Sequence, residues 1–218
     1  MELKKLTRPK AIIFDWDNTL VNTWPVIHEA LHKTFSQMGL EPWSLDLVKQ
    51  RVARSMRDSF PQIFGENWQA ASDIYQQHFR DIHLQRLHEL PGAGATLAYL
   101  SKQPVYVAIA SNKKGINLRK EAEHIGWQKY FGNIVGADDT KNDKPASDPV
   151  HAALLGSNIE AGADVWFIGD SEIDMECANA TGCFPVYYGE LPAIPLKHPY
   201  SRHVKNHAEL VDLFNEVF

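Results

Sequence analysis

The sequence predicts an α/β fold, a Rossmann-like open parallel sheet core with an inserted all-helical cap domain. Short, near-continuous apolar runs recur along the 218-residue chain and alternate with helical stretches, the pattern of a parallel sheet covered on both faces. One long interval, residues 22–90, breaks the alternation with amphipathic helical patterns and no convincing strand. Acidic and polar residues stand where the apolar runs end.

The first run, "AIIF" (11–14), reads as a strand that delivers Asp15, with Asp17 following after Trp16. Within the interval, "PVIHEALHKTFSQM" (25–38) places Val26, Ile27, Ala30, Leu31, Phe35 and Met38 on one helix face. "SLDLVKQRVARS" (44–55) and "NWQAASDIYQQHFRDIHLQRL" (67–87) are also helical, so the insert should hold about four helices. It ends at "LPGAG" (90–94), where Pro-Gly marks a turn or hinge, leaving residues 1–21 and 91–218 as the core. "VYVAIA" (105–110) is a strand ending in Ser111-Asn112, and "GINLRKEAEHIGW" (115–127) is the helix after it. "NIVG" (133–136), "VWFIG" (165–169) and "FPVYY" (184–188) are further strands, the second ending in Asp170. "DMECANATG" (174–182) is a helix closed by Gly182, and "NHAELVDLF" (206–214) opens on a capping-box variant with Asn206 and Glu209.

Composition narrows the function. A net charge of -5 and the absence of a basic stripe argue against a nucleic-acid partner. "MELKKLTRPK" lacks the apolar centre of an export signal and no run is long enough to span a bilayer, so a cytoplasmic protein without a membrane partner is expected. Cys177 and Cys183 fit neither a disulfide framework nor a zinc pattern, and the sequon at Asn179 reads as chance. "HEALH" (28–32) is a literal H-E-x-x-H, but Phe35 stands where the extended pattern wants glycine and no third ligand is evident. His28 and His32 therefore read as polar-face residues. Arg51, Arg54 and Arg57 read as a solvated helix face rather than a clamp on an anion, and His78, His83 and His88 show no ligand spacing. Trp24 and Trp43 read as packing residues of the insert.

If the strands are parallel, the groups at their carboxyl ends converge on one edge of the sheet, with the insert emerging above it. Asp15, Asp17, Asp170 and Asp174 can share a small space only around a cation, and all-oxygen ligands suit Mg²⁺. Ser111 supplies a hydroxyl, the backbone N–H groups from Asn112 onward should open an anion-favouring helix terminus, and Lys144 adds a compact positive charge. The assembled site is a phosphate pocket.

"DWDNTL", "ASN", "KPASDP" and "GDSEIDMECANATG" resemble, in order, the four motifs of the haloacid dehalogenase superfamily, and the insert is similar to its C1-type cap. The layout most resembles the phosphoglycolate phosphatase-like branch, with two departures: Asn18 where glycine is usual and Ser147 where proline often stands. The resemblance implies that Asp15 is the nucleophile, forming an aspartyl-phosphate, and that Asp17 is the general acid and then the base. It further implies Mg²⁺ on Asp15, Asp170 and the Asp17 carbonyl, with Asp174 behind them orienting water or Lys144, and phosphate on Ser111, Asn112 and Lys144. An acid at position 17 favours an alkoxide leaving group over a halide, hence a phosphatase acting on a small phosphorylated metabolite. A phosphomutase or phosphonate hydrolase is the alternative on this scaffold, although the insert's lysines, Lys33 and Lys49, stand in no telling context. A phospho-accepting receiver and a zinc peptidase are more distant alternatives.

Overall fold

The computed structural model describes residues 6–52 and 54–218. Strand β1 (Ala11–Phe14) lies at the centre of the main sheet because its residues are buried on both sides. Ile12 and Phe14 pack into one apolar cluster with Ile109, Trp166 and Ile168, while Ala11 and Ile13 pack into another with Ala108, Val165 and Phe167. Alternate side chains point to opposite faces, so a strand covered twice must be apolar throughout.

The sheet has the order β5-β4-β1-β6-β7-β8, with β4 (Tyr106–Lys114), β5 (Asn133–Ala137), β6 (Val165–Gly169), β7 (Phe184–Tyr188) and β8 (Arg202–Val204). Its strand pairs are all parallel. Helices α5 (Ala93–Leu100), α6 (Gly115–His124) and α9 (His207–Asn215) cover the Ile12 face, through residues such as Leu97, Leu118 and Phe214. Helices α7 (Asp148–Leu154) and α8 (Glu172–Ala180) cover the other, through Val150, Ala153 and Ala178. Each large side chain so buried stabilises the fold by about 1.5–3 kcal/mol.

Between β1 and α5 stand α1 (Trp24–Gln37), α2 (Leu45–Arg51), α3 (Met56–Phe64) and α4 (Trp68–Ile82), which share a separate apolar cluster including Val26, Leu31, Phe35, Phe60 and Phe79. An antiparallel ribbon of β2 (Val21–Asn22) and β3 (His88–Glu89) brings the two ends of this segment together. Neither ribbon strand was readable, since two residues carry no period, and β8 is barely longer.

Several helix boundaries differ from expectation. Helix α2 stops at Arg51, where Val52 turns extended, rather than continuing to Ser55; α4 ends at Ile82 rather than 87 and α6 at His124 rather than 127. Ala53 of the expected second helix and residues 1–5 of the charged N-terminus lie outside the described residues. Gly182, with φ +70, follows α8 in the left-handed conformation that glycine adopts readily. Asn206 Oδ1 accepts from Glu209 N at 3.0 Å, but the Glu209 carboxylate reaches Lys205 N instead of returning to Asn206. Cys177 and Cys183 are buried free thiols. No helix among the described residues is long and apolar enough to cross a membrane.

Candidate active site

Asp15 continues β1, its N–H donating to Ile168 O of β6 at 2.8 Å, so its carboxylate emerges at the carboxyl end of the central strand. Ser111 stands in neighbouring β4 and Asp170 directly after β6. The chain runs from β1 to β4 on one side and later returns to β6 on the other, making this a topological switch point. Carboxylate oxygens of Asp15, Asp170 and Asp174 lie within 4.8 Å of one another.

Lys144 is driven into this cluster with 2% of its surface exposed, its Nζ 2.9 Å from Asp15 Oδ1 and 2.7 Å from Asp174 Oδ1. Burial opposes the ammonium, but the two carboxylates outweigh it and hold the Lys144 pKa above the usual lysine range. Asp174 also closes the first turn of α8, where its Oδ2 accepts from Ser171 Oγ at 2.6 Å and from Ser171 N at 3.1 Å. Burial, with Asp174 and Asp15 adding repulsion, holds Asp170 well above the ordinary carboxylate range. A divalent cation relieves such repulsion, and the all-carboxylate donor set fits Mg²⁺.

The Asp17 carboxylate is directed elsewhere. Its Oδ1 receives Lys113 Nζ at 2.6 Å. The chain turns immediately afterwards, with Leu20 N and Val21 N both donating to Trp16 O. Asn18 sits in this turn at φ 59, the left-handed region, and its Oδ1 accepts from Thr23 N at 3.2 Å. Asparagine is among the few residues that tolerate this conformation, which gives the departure from glycine a local reason. Ser147 precedes α7 and offers its carbonyl to Val150 N and His151 N.

The expected helix terminus at Asn112 is displaced. Strand β4 runs on to Lys114, with an irregular register against β5 after Ala110, and α6 begins only at Gly115. Lys113 N donates to Ser111 Oγ at 3.3 Å, and Asn112 Nδ2 donates to Lys144 O at 3.0 Å, tying the two loops together. Arg57 also departs from the expected solvated face. It grips Asp143 with Nε on Oδ2 at 2.7 Å and Nη2 on Oδ1 at 2.6 Å, joining α3 to the loop that carries Lys144. Arg51 lies over the Trp43 ring at 4.8 Å. A cavity of about 1210 Å³ is lined by Asp15, Asp17, Ser111 and Lys144 on the sheet side and by Trp24, Arg54 and Tyr75 from the helical segment.

Among the described residues, the H-E-x-x-H histidines gather no third ligand. His28 Nε2 lies 3.2 Å from Trp43 O, Glu29 pairs with Arg86, and the acidic cluster at Asp15 is the group with metal-holding spacing among the described residues.

Sequence reasoning missed a buried network behind Asp17. Lys113 Nζ also donates to Glu121 Oε2 at 2.9 Å, Trp16 Nε1 donates to the same oxygen at 2.6 Å, and His83 Nδ1 lies 2.8 Å from Glu121 Oε1. Burial favours neutral Glu121, but Lys113, His83 and Trp16 hold its pKa below the usual range. Burial likewise opposes the Lys113 ammonium, and Asp17 and Glu121 raise its pKa. Only Lys113 carried a signal: two residues beyond Ser111 in an extended strand, it falls on the same side. Glu121 and His83 are isolated polar residues in helical stretches.

The sequence model of the haloacid dehalogenase-like hydrolases matches residues 12–187. A phosphoglycolate phosphatase of Cereibacter sphaeroides is 27% identical over 218 residues, covering 94% of this chain and 98% of that protein. One of Neisseria meningitidis is 28% identical over 188 residues, covering 81% and 79%. Among solved structures, a HAD-superfamily hydrolase from Ehrlichia chaffeensis aligns with TM-score 0.67 and 30% identity over 98% of this chain and 99% of that one. A haloacid dehalogenase-like hydrolase from Bacteroides fragilis shares the fold with TM-score 0.85 at 21% identity, covering 93% and 100%.

Proposed function

The chain belongs to the haloacid dehalogenase-like hydrolases and is a phosphatase, and from that premise we propose that it hydrolyses a small phosphorylated metabolite, with Mg²⁺, through an aspartyl-phosphate on Asp15. The observation that carries this reading is the placement of Asp15 at the central strand end, against Lys144 and beside Asp170. Residues 22–90 act as the cap, over a substrate bound in the cavity they line together with the core.

An Asp15 oxygen bonds to phosphorus as the ester oxygen leaves with a proton from Asp17. Asp17, now a carboxylate, removes a proton from water, which cleaves the aspartyl-phosphate and releases inorganic phosphate. Ser111 and Asn112 hold the phosphate oxygens, and Lys144 offsets charge on the reacting group while Asp174 keeps its ammonium in place. Asp15, Asp170 and the Asp17 carbonyl would hold Mg²⁺, which when bound supplies charge neutralisation to the phosphate and its carboxylate neighbours. The relatives' name makes phosphoglycolate the first ester to try.

The test is a panel of small phosphate esters with Mg²⁺, comparing the wild type with Asp15→Asn. Many phosphates should be released per wild-type chain, with a loss of about a thousandfold or more in the variant. Return of the phosphoryl group to a sugar phosphate without phosphate release would identify a mutase instead, and inactivity toward every ester would sink the reading.

A further inference from the structure

Behind Asp17 the charges do not end at the cavity wall. Lys113 bridges Asp17 Oδ1 at 2.6 Å and Glu121 Oε2 at 2.9 Å, and Glu121 passes the connection through Oε1 to His83 Nδ1 at 2.8 Å. The side chains of Lys113, Glu121 and His83 are 4%, 0% and 2% exposed, against 19% for Asp17. Because ionised Glu121 can only accept, the His83 Nδ1 in this contact carries a proton. Three donors therefore converge on one buried carboxylate, including Trp16 from the residue immediately before Asp17.

This arrangement exceeds what neutralising Asp17 requires. A lysine beside an aspartate at a cavity edge could remain in water, free to rotate through its four-carbon stem. Here a buried glutamate on α6 removes that freedom. The far end of the chain belongs to the helical segment, since His83 directly follows α4. Phe79 of α4 stacks on His83 with ring centroids 5.0 Å apart and lies 5.0 Å from Lys113 Nζ. Helix α4 thus touches the network at its outer member and at its middle.

We infer that Lys113 and Glu121 are positioning residues that hold the Asp17 carboxylate for proton transfer, and that His83 ties this orientation to the seating of α4 against α6. The inference rests on the acid and base role proposed for Asp17. Lys113 fixes Oδ1, which leaves Oδ2 to give its proton to the departing ester oxygen and later to accept one from water. When α4 is seated, the acid is aligned; when α4 is displaced, Glu121 loses a donor and Lys113 its aromatic cover. The helical segment would then gate proton transfer as well as access.

Leaving-group dependence tests this. An alkyl phosphate needs a protonated leaving oxygen, whereas p-nitrophenyl phosphate releases a stable phenolate and does not. Full-length Lys113→Met, Glu121→Gln and His83→Phe proteins, assayed with Mg²⁺ on both esters, should lose about 10- to 100-fold in kcat/KM, which reports formation of the aspartyl-phosphate and not its hydrolysis, on the alkyl ester and only a few-fold on the aryl one, as Asp17→Asn should. A crystal structure of Glu121→Gln should show Asp17 rotated away from its wild-type position. Equal losses on both esters, an unmoved Asp17, or unchanged kinetics would overturn the inference. Should a single variant fail to fold, Lys113→Met/Glu121→Gln, which removes both buried charges together, takes its place under the same criteria. A wild type inactive on both esters would reject the phosphatase reading and the positioning role with it, whereas an active wild type with equal variant losses would reject the positioning role alone.

Discussion

A Cβ placed on Gly169 would collide with Cγ of Asp174. The last residue of β6 thus leaves space for a carboxylate in the first turn of α8, and that carboxylate in turn holds Lys144. Asp174 cannot swing aside cheaply, because Lys144 takes one of its oxygens and Ser171 the other. Gly169→Ala should therefore destabilise the fold by about 1–3 kcal/mol and lower kcat by roughly tenfold or more. Urea denaturation and steady-state kinetics on one preparation check both effects, and wild-type kcat would show that Asp174 placement is not limiting.

Mg²⁺ should raise the melting temperature of the wild type. Binding to the folded chain alone stabilises by mass action, about 2.7 kcal/mol at a hundredfold excess over Kd. Asp170→Asn, which removes one carboxylate of the acidic cluster, should abolish most of the shift. Because cation and proton compete for these carboxylates, the wild-type shift should be larger near pH 8 than near about pH 5. An equal shift in wild type and variant would place the ion elsewhere.

Arg57 and Asp143 join the helical segment to the core by two charge-assisted hydrogen bonds. The arginine is 35% exposed and its partner 1%, so the loss on removal falls mainly on the stranded carboxylate. Arg57→Met should cost about 1–3 kcal/mol, and much less in the Asp143→Asn background. Chemical denaturation of the four proteins gives the coupling directly; additive effects would mean the pair contributes nothing.

His207 supplies a pH dependence of its own. Its Nε2 lies 2.9 Å from Thr19 O and its Nδ1 3.1 Å from Thr96 Oγ1, and burial lowers its pKa to about 4. The unfolded chain, with an ordinary histidine, takes up the proton first as pH falls. The contribution is therefore complete above about pH 6.5 and is lost progressively down to about pH 4, amounting to roughly 3 kcal/mol. His207→Gln should flatten that part of the stability curve when urea midpoints are compared across the interval. A wild-type curve already flat there would show that His207 does not limit acid stability.

The strands and the acidic groups at their ends were legible because a doubly covered parallel sheet forces its strands to be apolar and its sites to its carboxyl edge. "AIIF" and "VWFIG" named their own positions, and with them Asp15 and Asp170. The ribbon of β2 and β3 was not legible, since its backbone pairing joins residues that no local pattern links. Helix α6 was placed, but strand β4 extends through Lys113, so the lysine faces inward rather than helping to open a helix.

The sequence by itself determined the α/β architecture, the helical segment after the first strand, and the chemistry available at the strand ends, because periodicity and residue type act locally. Only the tertiary structure decided which charges meet. Lys113, Glu121 and His83 come from a strand, a helix and the end of the inserted helices, and Arg57 meets Asp143 across the same divide. Ion pairing in a buried space depends on distance in three dimensions, and no spacing along the chain encodes it.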